Sequence, residues 1–154
     1  MTGIKEDWNT TTGGSVSSSP AVVNDTVYVG SNDNTVYALN ATNGSERWNV
    51  TTGSNVSASP AVANDTVFIG SQDGNVYALN ATDGSQRWSF SADDMVVSAP
   101  AVVNDTVYVG SQVTGPPVDG NLYAINESTG SKRWDVSTGP VSASPAVANN
   151  TVYV

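Results

Sequence analysis

The segment YALNATNGSERW at residues 37–48 returns as YALNATDGSQRW at 77–88 and as YAINESTGSKRW at 123–134. A second phrase keeps step with it. SPAVVNDTVYVG starts at Ser19, SPAVANDTVFIG at Ser59, APAVVNDTVYVG at Ala99 and SPAVANNTVYV at Ser144. Pro20, Pro60, Pro100 and Pro145 therefore stand 40, 40 and 45 residues apart, and Trp8, Trp48, Trp88 and Trp134 stand 40, 40 and 46 apart. Self-similarity at such a period means one supersecondary unit written several times. The long third period has a visible cause in VTGPPV, residues Val113, Thr114, Gly115, Pro116, Pro117 and Val118, inserted after Gln112. An insertion tolerated between intact copies is expected in an exposed loop.

Within one copy the punctuation is that of antiparallel strands. PAVV and TVYVG are short β-branched runs separated by Asn24-Asp25, residue types that accept the left-handed backbone of a tight hairpin. TVYVGS and TVYALN are separated by Asn32-Asp33-Asn34, and VYALN is separated from RWNV by Thr42-Asn43-Gly44-Ser45. Each copy thus predicts four strands, and no segment sustains the 3.6-residue apolar period of a helix. A unit of 40 residues cannot bury a core alone, so its faces must be covered by neighbouring copies. Radial stacking of four-stranded sheets is the β-propeller. The expected fold is all-β: blades at 18–53, 57–92 and 97–138, an outer strand within 1–14 and a partial blade at 143–154. That makes fifteen strands and an incomplete ring in one chain.

The repeated sentence resembles the tryptophan-docking motif of PQQ-like (quinoprotein-type) propeller repeats, Ala-x-Asp-x-x-Thr-Gly-x-x-x-Trp. The first copy supplies Ala38, Asn40, Asn43, Gly44 and Trp48, the second Ala78, Asn80, Asp83, Gly84 and Trp88, and the third, the closest match, Ala124, Asn126, Thr129, Gly130 and Trp134. Every copy departs at one place, where asparagine stands for the family's aspartate. The loop hydrogen bonds of that carboxylate must then come from an amide. The resemblance implies that each tryptophan, Trp8 included, fastens one blade to the next. A large flat indole against glycine and alanine suits that role, and a ligand-stacking platform is the rival reading. Small residues at Ser19, Ala21, Ser59, Ala61, Ala101 and Ser144 are expected to let the blades converge on the axis.

Composition removes several function classes. The chain carries 5 Lys plus Arg against 14 Asp plus Glu, a net charge of −9, which repels a polyanion and argues against nucleic-acid binding. It has no cysteine and no histidine, hence no thiolate chemistry and neither the commonest general base nor the commonest metal ligand. No apolar run approaches the ~20 residues of a membrane span. The quinoproteins of the resemblance bind pyrroloquinoline quinone and Ca²⁺ on the axis. Here the inner strands are Ser, Pro, Ala and Val, so no cofactor and no catalysis are expected. Asp73 and Asp119 sit in Asp-Gly-Asn turns that invite Ca²⁺, but one carboxylate per turn is few, and a glycine-stabilised β-turn is the plainer reading. Asp93 and Asp94, the adjacent acidic pair, read as solvated loop charge.

The expectation is a non-catalytic structural or protein-interaction scaffold that closes its ring by oligomerisation. It does so as a homodimer with eight blades or by head-to-tail assembly, with residues 113–118 as a partner-binding loop on one rim. The alternative is a fragment of a larger quinoprotein-like enzyme or sensor. Few lysines and many Asp, Thr and Val resemble haloarchaeal proteins. Asn-x-Ser/Thr sequons at Asn9, Asn24, Asn40, Asn43, Asn49, Asn55, Asn64, Asn80, Asn104, Asn126 and Asn149 suit an extracellular or cell-surface chain.

Overall fold

The structure, a computed structural model, describes residues 7–154 apart from 114, 117 and 118. The described residues are all-β. The first blade comprises β1 (Ala21–Val23), β2 (Thr26–Gly30), β3 (Thr35–Asn40) and β4 (Glu46–Thr51). The second comprises β5 (Ala61–Ala63), β6 (Thr66–Gly70), β7 (Asn75–Asn80) and β8 (Gln86–Ser91), and the third β9 (Ala101–Val103), β10 (Thr106–Gly110), β11 (Asn121–Asn126) and β12 (Lys132–Ser137). Each is a four-stranded antiparallel meander in sequence order, and β13 (Ala146–Ala148) pairs with β14 (Thr151–Tyr153) as a two-stranded sheet. The sheets do not close into a ring.

The local chemistry explains the elements. The first hairpin of each copy turns on two residues with positive φ: Asn24 and Asp25, Asn64 and Asp65, Asn104 and Asp105, Asn149 and Asn150. Those are the conformations a two-residue turn matched to strand twist requires. One irregularity recurs in every blade. The register slips between Ala38 and Leu39, Ala78 and Leu79, and Ala124 and Ile125. The extra residue on the outer strand is Arg47, Arg87 or Arg133, and its guanidinium donates to the backbone oxygen of Asp25, Asp65 or Asp105 at 3.1–3.2 Å.

The cores lie between the blades. Tyr28, Val36, Ala38 and Trp48 of the first blade pack with Val56, Ala58, Val67, Ile69 and Leu79 of the second. Phe68, Val76, Ala78 and Trp88 then pack with Val96, Val107, Val109, Tyr123 and Ile125 of the third. Strand alternation does this: Val67 and Ile69 face back while Phe68 faces forward. The connectors close the same seams. A Cβ on Gly30, Gly70 or Gly110 would come within 2.5, 2.3 or 2.1 Å of a Val56, Val96 or Val141 methyl, so only glycine lets the next blade's connector valine approach. At the axis Ser19 N–H donates to Ser59 Oγ at 2.8 Å and Ala99 N–H to Ser144 Oγ at 3.2 Å. The intervening rung is impossible because Ala99 has no hydroxyl.

The outer strand expected within 1–14 falls partly outside the described residues, and residues 7–12 carry no strand assignment. Fourteen strands are therefore present among the described residues, not fifteen. The reason is pairing: β14, the outermost strand of its two-stranded sheet, is not bonded to this segment. Residues 7–14 lie instead along the first blade, held by Trp8 and Thr10.

Candidate functional site

The repeated residues assemble on two rims. On the first rim the β3–β4 loop and its equivalents meet the indole of the preceding copy. Trp8 Nε1–H donates to Ala41 O at 2.8 Å, Trp48 Nε1–H to Ala81 O at 3.0 Å and Trp88 Nε1–H to Glu127 O at 2.7 Å. Each ring lies on a glycine with positive φ: Trp8 on Gly44, Trp48 on Gly84 and Trp88 on Gly130. A Cβ there would sit 2.4, 2.8 and 2.7 Å from the ring. Ala38, Ala78 and Ala124 are the cross-strand neighbours of Trp48, Trp88 and Trp134 in their own sheets, and all three alanines are fully buried. Trp48 and Trp88 are each 8% exposed, whereas Trp134 is 40% exposed. Trp134 touches the Tyr108 ring of its own blade, centroids 5.9 Å apart, and among the described residues no glycine lies against its other face.

The asparagines that stand for the family's aspartate cap these loops. Asn40 Oδ1 accepts from Thr42 N–H at 2.8 Å and Asn80 Oδ1 from Thr82 N–H at 2.8 Å. Asn126 Oδ1 accepts from Ser128 and Thr129 N–H, both at 3.0 Å. A neutral amide oxygen is sufficient as an acceptor for such a turn.

The second rim carries the β2–β3 turns and the connectors, and an interaction that sequence reasoning missed. Asp33 Oδ2 accepts from Tyr37 Oη–H at 2.8 Å and from Gly13 N–H at 2.7 Å, while Asp33 Oδ1 accepts from Thr35 N–H at 3.0 Å. Asp73 repeats this with Tyr77 at 2.7 Å, Gly53 N–H at 2.7 Å and Asn75 N–H at 2.9 Å. Burial opposes ionisation at both carboxyls. The tyrosine hydroxyl and the backbone N–H donors outweigh it and hold Asp33 and Asp73 below the usual carboxylate value. Conversely, burial first, then the hydrogen bond and charge of Asp73, push Tyr77 up to about 12.

In the third copy the carboxylate changes sides. Asp93, at the connector position of Gly53, accepts from Tyr123 Oη–H at 2.7 Å and from Asn121 Nδ2–H at 2.6 Å. Asp119, at the sequence position of Asp73, instead accepts from Gly120 N–H and Ser137 Oγ–H. Asp94 accepts from Met95 N–H at 2.6 Å. These carboxylates are thus engaged by nearby donors, two of them from other strands. Among the described residues no three His, Cys, Asp or Glu side chains come together as a metal-ligand set. Of the candidate rim loop, Thr114, Pro117 and Val118 lie outside the described residues. Val113 N–H donates to Asp119 O at 2.8 Å and closes the loop base. Pro116 is exposed, and a Cβ on Gly115 would meet nothing within 4 Å.

The family described as outer membrane protein assembly factor BamB, whose repeat is PQQ-like, matches residues 4–154. The chain belongs to that family. No curated protein matches it in sequence. Among solved structures it is similar to BamB from Moraxella catarrhalis, with a TM-score of 0.80 and 20% identity over 96% of this chain and 45% of that one. A quinohemoprotein alcohol dehydrogenase, ADHIIG from Pseudomonas putida HK5, gives a TM-score of 0.75 and 27% identity over 87% of this chain and 22% of that one. The computationally designed Ika4 protein gives 0.81 and 18% over 96% and 89%. The chain thus spans less than half of the BamB structure and under a quarter of the dehydrogenase. The PQQ-like repeat invites a quinone with its metal, but the donor set does not fit one. The inner strands present Ser, Ala, Pro and Val, and Asp33, Asp73 and Asp93 are committed to tyrosine hydroxyls.

Proposed function

We propose that this PQQ-like propeller unit is a non-catalytic scaffold for protein interaction, exposed on a cell surface, whose blade stack is completed by a second copy of the chain. One observation carries the reading. The recurring tryptophans are spent on holding blade to blade through the indole–carbonyl bonds of one rim, and the Asp–Tyr pairs of the other rim tie each turn to the connector that enters its blade. Tryptophan docking is in this reading the assembly device, and Trp134 is the fastener that meets no glycine-bearing loop among the described residues. The similarity to BamB supports an interaction role. The acidic, threonine-rich composition and the abundant sequons support an extracellular, halophilic setting. The dehydrogenase similarity supports a second reading, in which the chain is one arc of a larger quinoprotein-like propeller.

Two measurements test the reading. Addition of pyrroloquinoline quinone and Ca²⁺ to the full chain is expected to give no saturable visible absorbance and no alcohol-dependent dye reduction. Either signal would move the protein to the enzyme class. Deleting residues 113–118, the stretch that breaks the symmetry of its rim, is expected to leave the unfolding transition in place and to weaken partner binding. Unchanged partner binding would remove the loop from the interface.

A further inference from the structure

The third copy breaks pattern at Glu127, where the first two carry Ala41 and Ala81. The backbone does the same work in all three. Ala41 N–H donates to Asp25 O at 2.9 Å, Ala81 N–H to Asp65 O at 3.0 Å and Glu127 N–H to Asp105 O at 3.0 Å, and each carbonyl receives an indole N–H. The position therefore needs no side chain beyond a methyl, and the Glu127 carboxylate is an addition. It is also nearly buried, at 7% exposure. Its Oε1 accepts from Asn64 Nδ2–H at 2.8 Å, and its other oxygen takes no hydrogen bond from a described residue. The ion pair recorded among the described residues, Lys132–Asp135, involves neither Glu127 nor its neighbours. No buried side-chain polar atom lacks a partner among the described residues, so this second Glu127 oxygen keeps access to solvent and is open to a cation from the adjoining space.

The carboxylate borders a cavity of about 300 Å³ between the second and third blades, lined by Asn64, Thr66, Arg87, Asp105, Glu127 and Ser128. Five of these have counterparts one copy earlier (Asn24, Thr26, Arg47, Asp65 and Thr82), so Glu127 is what distinguishes this seam. Arg87 is the internal candidate to neutralise it, but its Nη2–H group donates to Asp65 O at 3.2 Å. The cavity thus offers the largely buried Glu127 and, on an exposed wall, Asp105, whose backbone oxygen accepts from Arg133 and from Glu127 N–H. Thr66 and Ser128 complete the lining. Two carboxylates are few for a hard metal ion, which takes six or more oxygens. They suit a planar or tetrahedral organic cation, which brings its own donors.

We propose that this cleft binds an organic cation of the guanidinium type, the group an arginine side chain presents, with Glu127 as its principal acceptor. The net charge of −9 raises the local concentration of such a cation. The site stands independently of the scaffold reading, because it can be tested with a small probe and no partner.

The indoles provide the readout. Trp88 donates to the Glu127 carbonyl, while Trp48 makes the same bond to Ala81 and serves as an internal control. Titration of ¹⁵N-labelled full chain with N-acetylarginine methylamide is expected to move the Trp88 indole resonance saturably and leave Trp48 in place. Neutral N-acetylglutamine methylamide should move neither. Glu127→Gln should weaken binding by about ten-fold or more, the loss of one charge-assisted hydrogen bond. Glu127→Ala should do the same in a folded chain, since alanine is the natural residue at 41 and 81. Arg87→Gln should tighten binding by removing a like charge. Trp48 and Trp88 moving together, full affinity in Glu127→Gln, an equal response to the neutral probe, a stronger response to Ca²⁺ than to the arginine probe, or weaker binding in Arg87→Gln would each overturn the proposal.

Discussion

At Gly84 two demands meet. The backbone is at φ +74, which an L side chain rarely adopts, and a Cβ would sit 2.8 Å from the Trp48 ring. Strain and overpacking therefore add, and Gly84→Ala is expected to cost about 2–4 kcal/mol in urea unfolding. Gly115→Ala is the control: its Cβ would meet nothing within 4 Å, and the change should stay within about 0.5 kcal/mol. Equal effects would mean that the indole does not need the glycine. The tryptophans and glycines recur in register in the sequence, as words of one repeated sentence. The role of the arginine in each bulge was not legible there. Arg47, Arg87 and Arg133 recur just as faithfully, but periodicity alone cannot show that a residue is an extra one whose guanidinium reaches back to a hairpin carbonyl. Glu127 was legible only as a departure from Ala41 and Ala81, and its burial came from the neighbouring blade, which no local pattern records.

At the scale of turns and connectors, the Asp–Tyr pairs tie the β2–β3 turn of one blade to the connector that enters it. They set a pH window whose sign can be worked out. Asp33 and Asp73 ionise below the ordinary value of 3.8 in the folded chain, so their contribution is present above that value and is lost as pH falls through the depressed one. Tyr77 is raised from 10.0 to about 12, so its contribution is present below 10.0 and is lost as pH rises towards 12. Stability should be flat across neutral pH and fall at both ends. Asp73→Asn should remove much of the acid limb and return Tyr77 to an earlier tyrosinate titration, read by absorbance. An unchanged Tyr77 titration in that variant would show that the hydrogen bond does not govern it. The spacing of Asp33 to Tyr37 and Asp73 to Tyr77 could have revealed the pair, yet the same spacing misleads in the third copy. Asp119 keeps its distance from Tyr123 in sequence, but the insertion before it rebuilds the turn, and Asp93 from the connector takes the tyrosine. A tertiary exchange of this kind leaves no trace in a single turn's sequence.

For the molecule as a whole, the core consists of seams between sheets, and every seam needs two blades. The number of blades and the mode of stacking could be read from the 40-residue period, because a sheet of that size is stable only between neighbours. The same argument makes the two outer faces reactive. Val22, whose equivalents Val62 and Val102 are partly covered, is 62% exposed, and at the other end Trp134 and Val136 are 40% and 51% exposed. Inside the chain those surface types pack against each other, so in the proposed assembly a second copy would meet each open face with a surface already fitted to it. Such contacts close at a fixed copy number if the inter-blade rotation divides the circle, and otherwise grow into a filament. Light scattering of the full chain is expected to give twice the 15.8 kDa chain mass, with Trp134 fluorescence shielded from acrylamide. Val22→Asp and Trp134→Ala should each shift the protein to the single-chain mass, since a charge or a missing indole spoils one side of the contact while leaving the inner seams untouched. A mass that climbs without limit would identify the filament. A single-chain mass at all concentrations, with Trp134 freely quenched, would show that the open faces await further blades of the same polypeptide instead of a second copy.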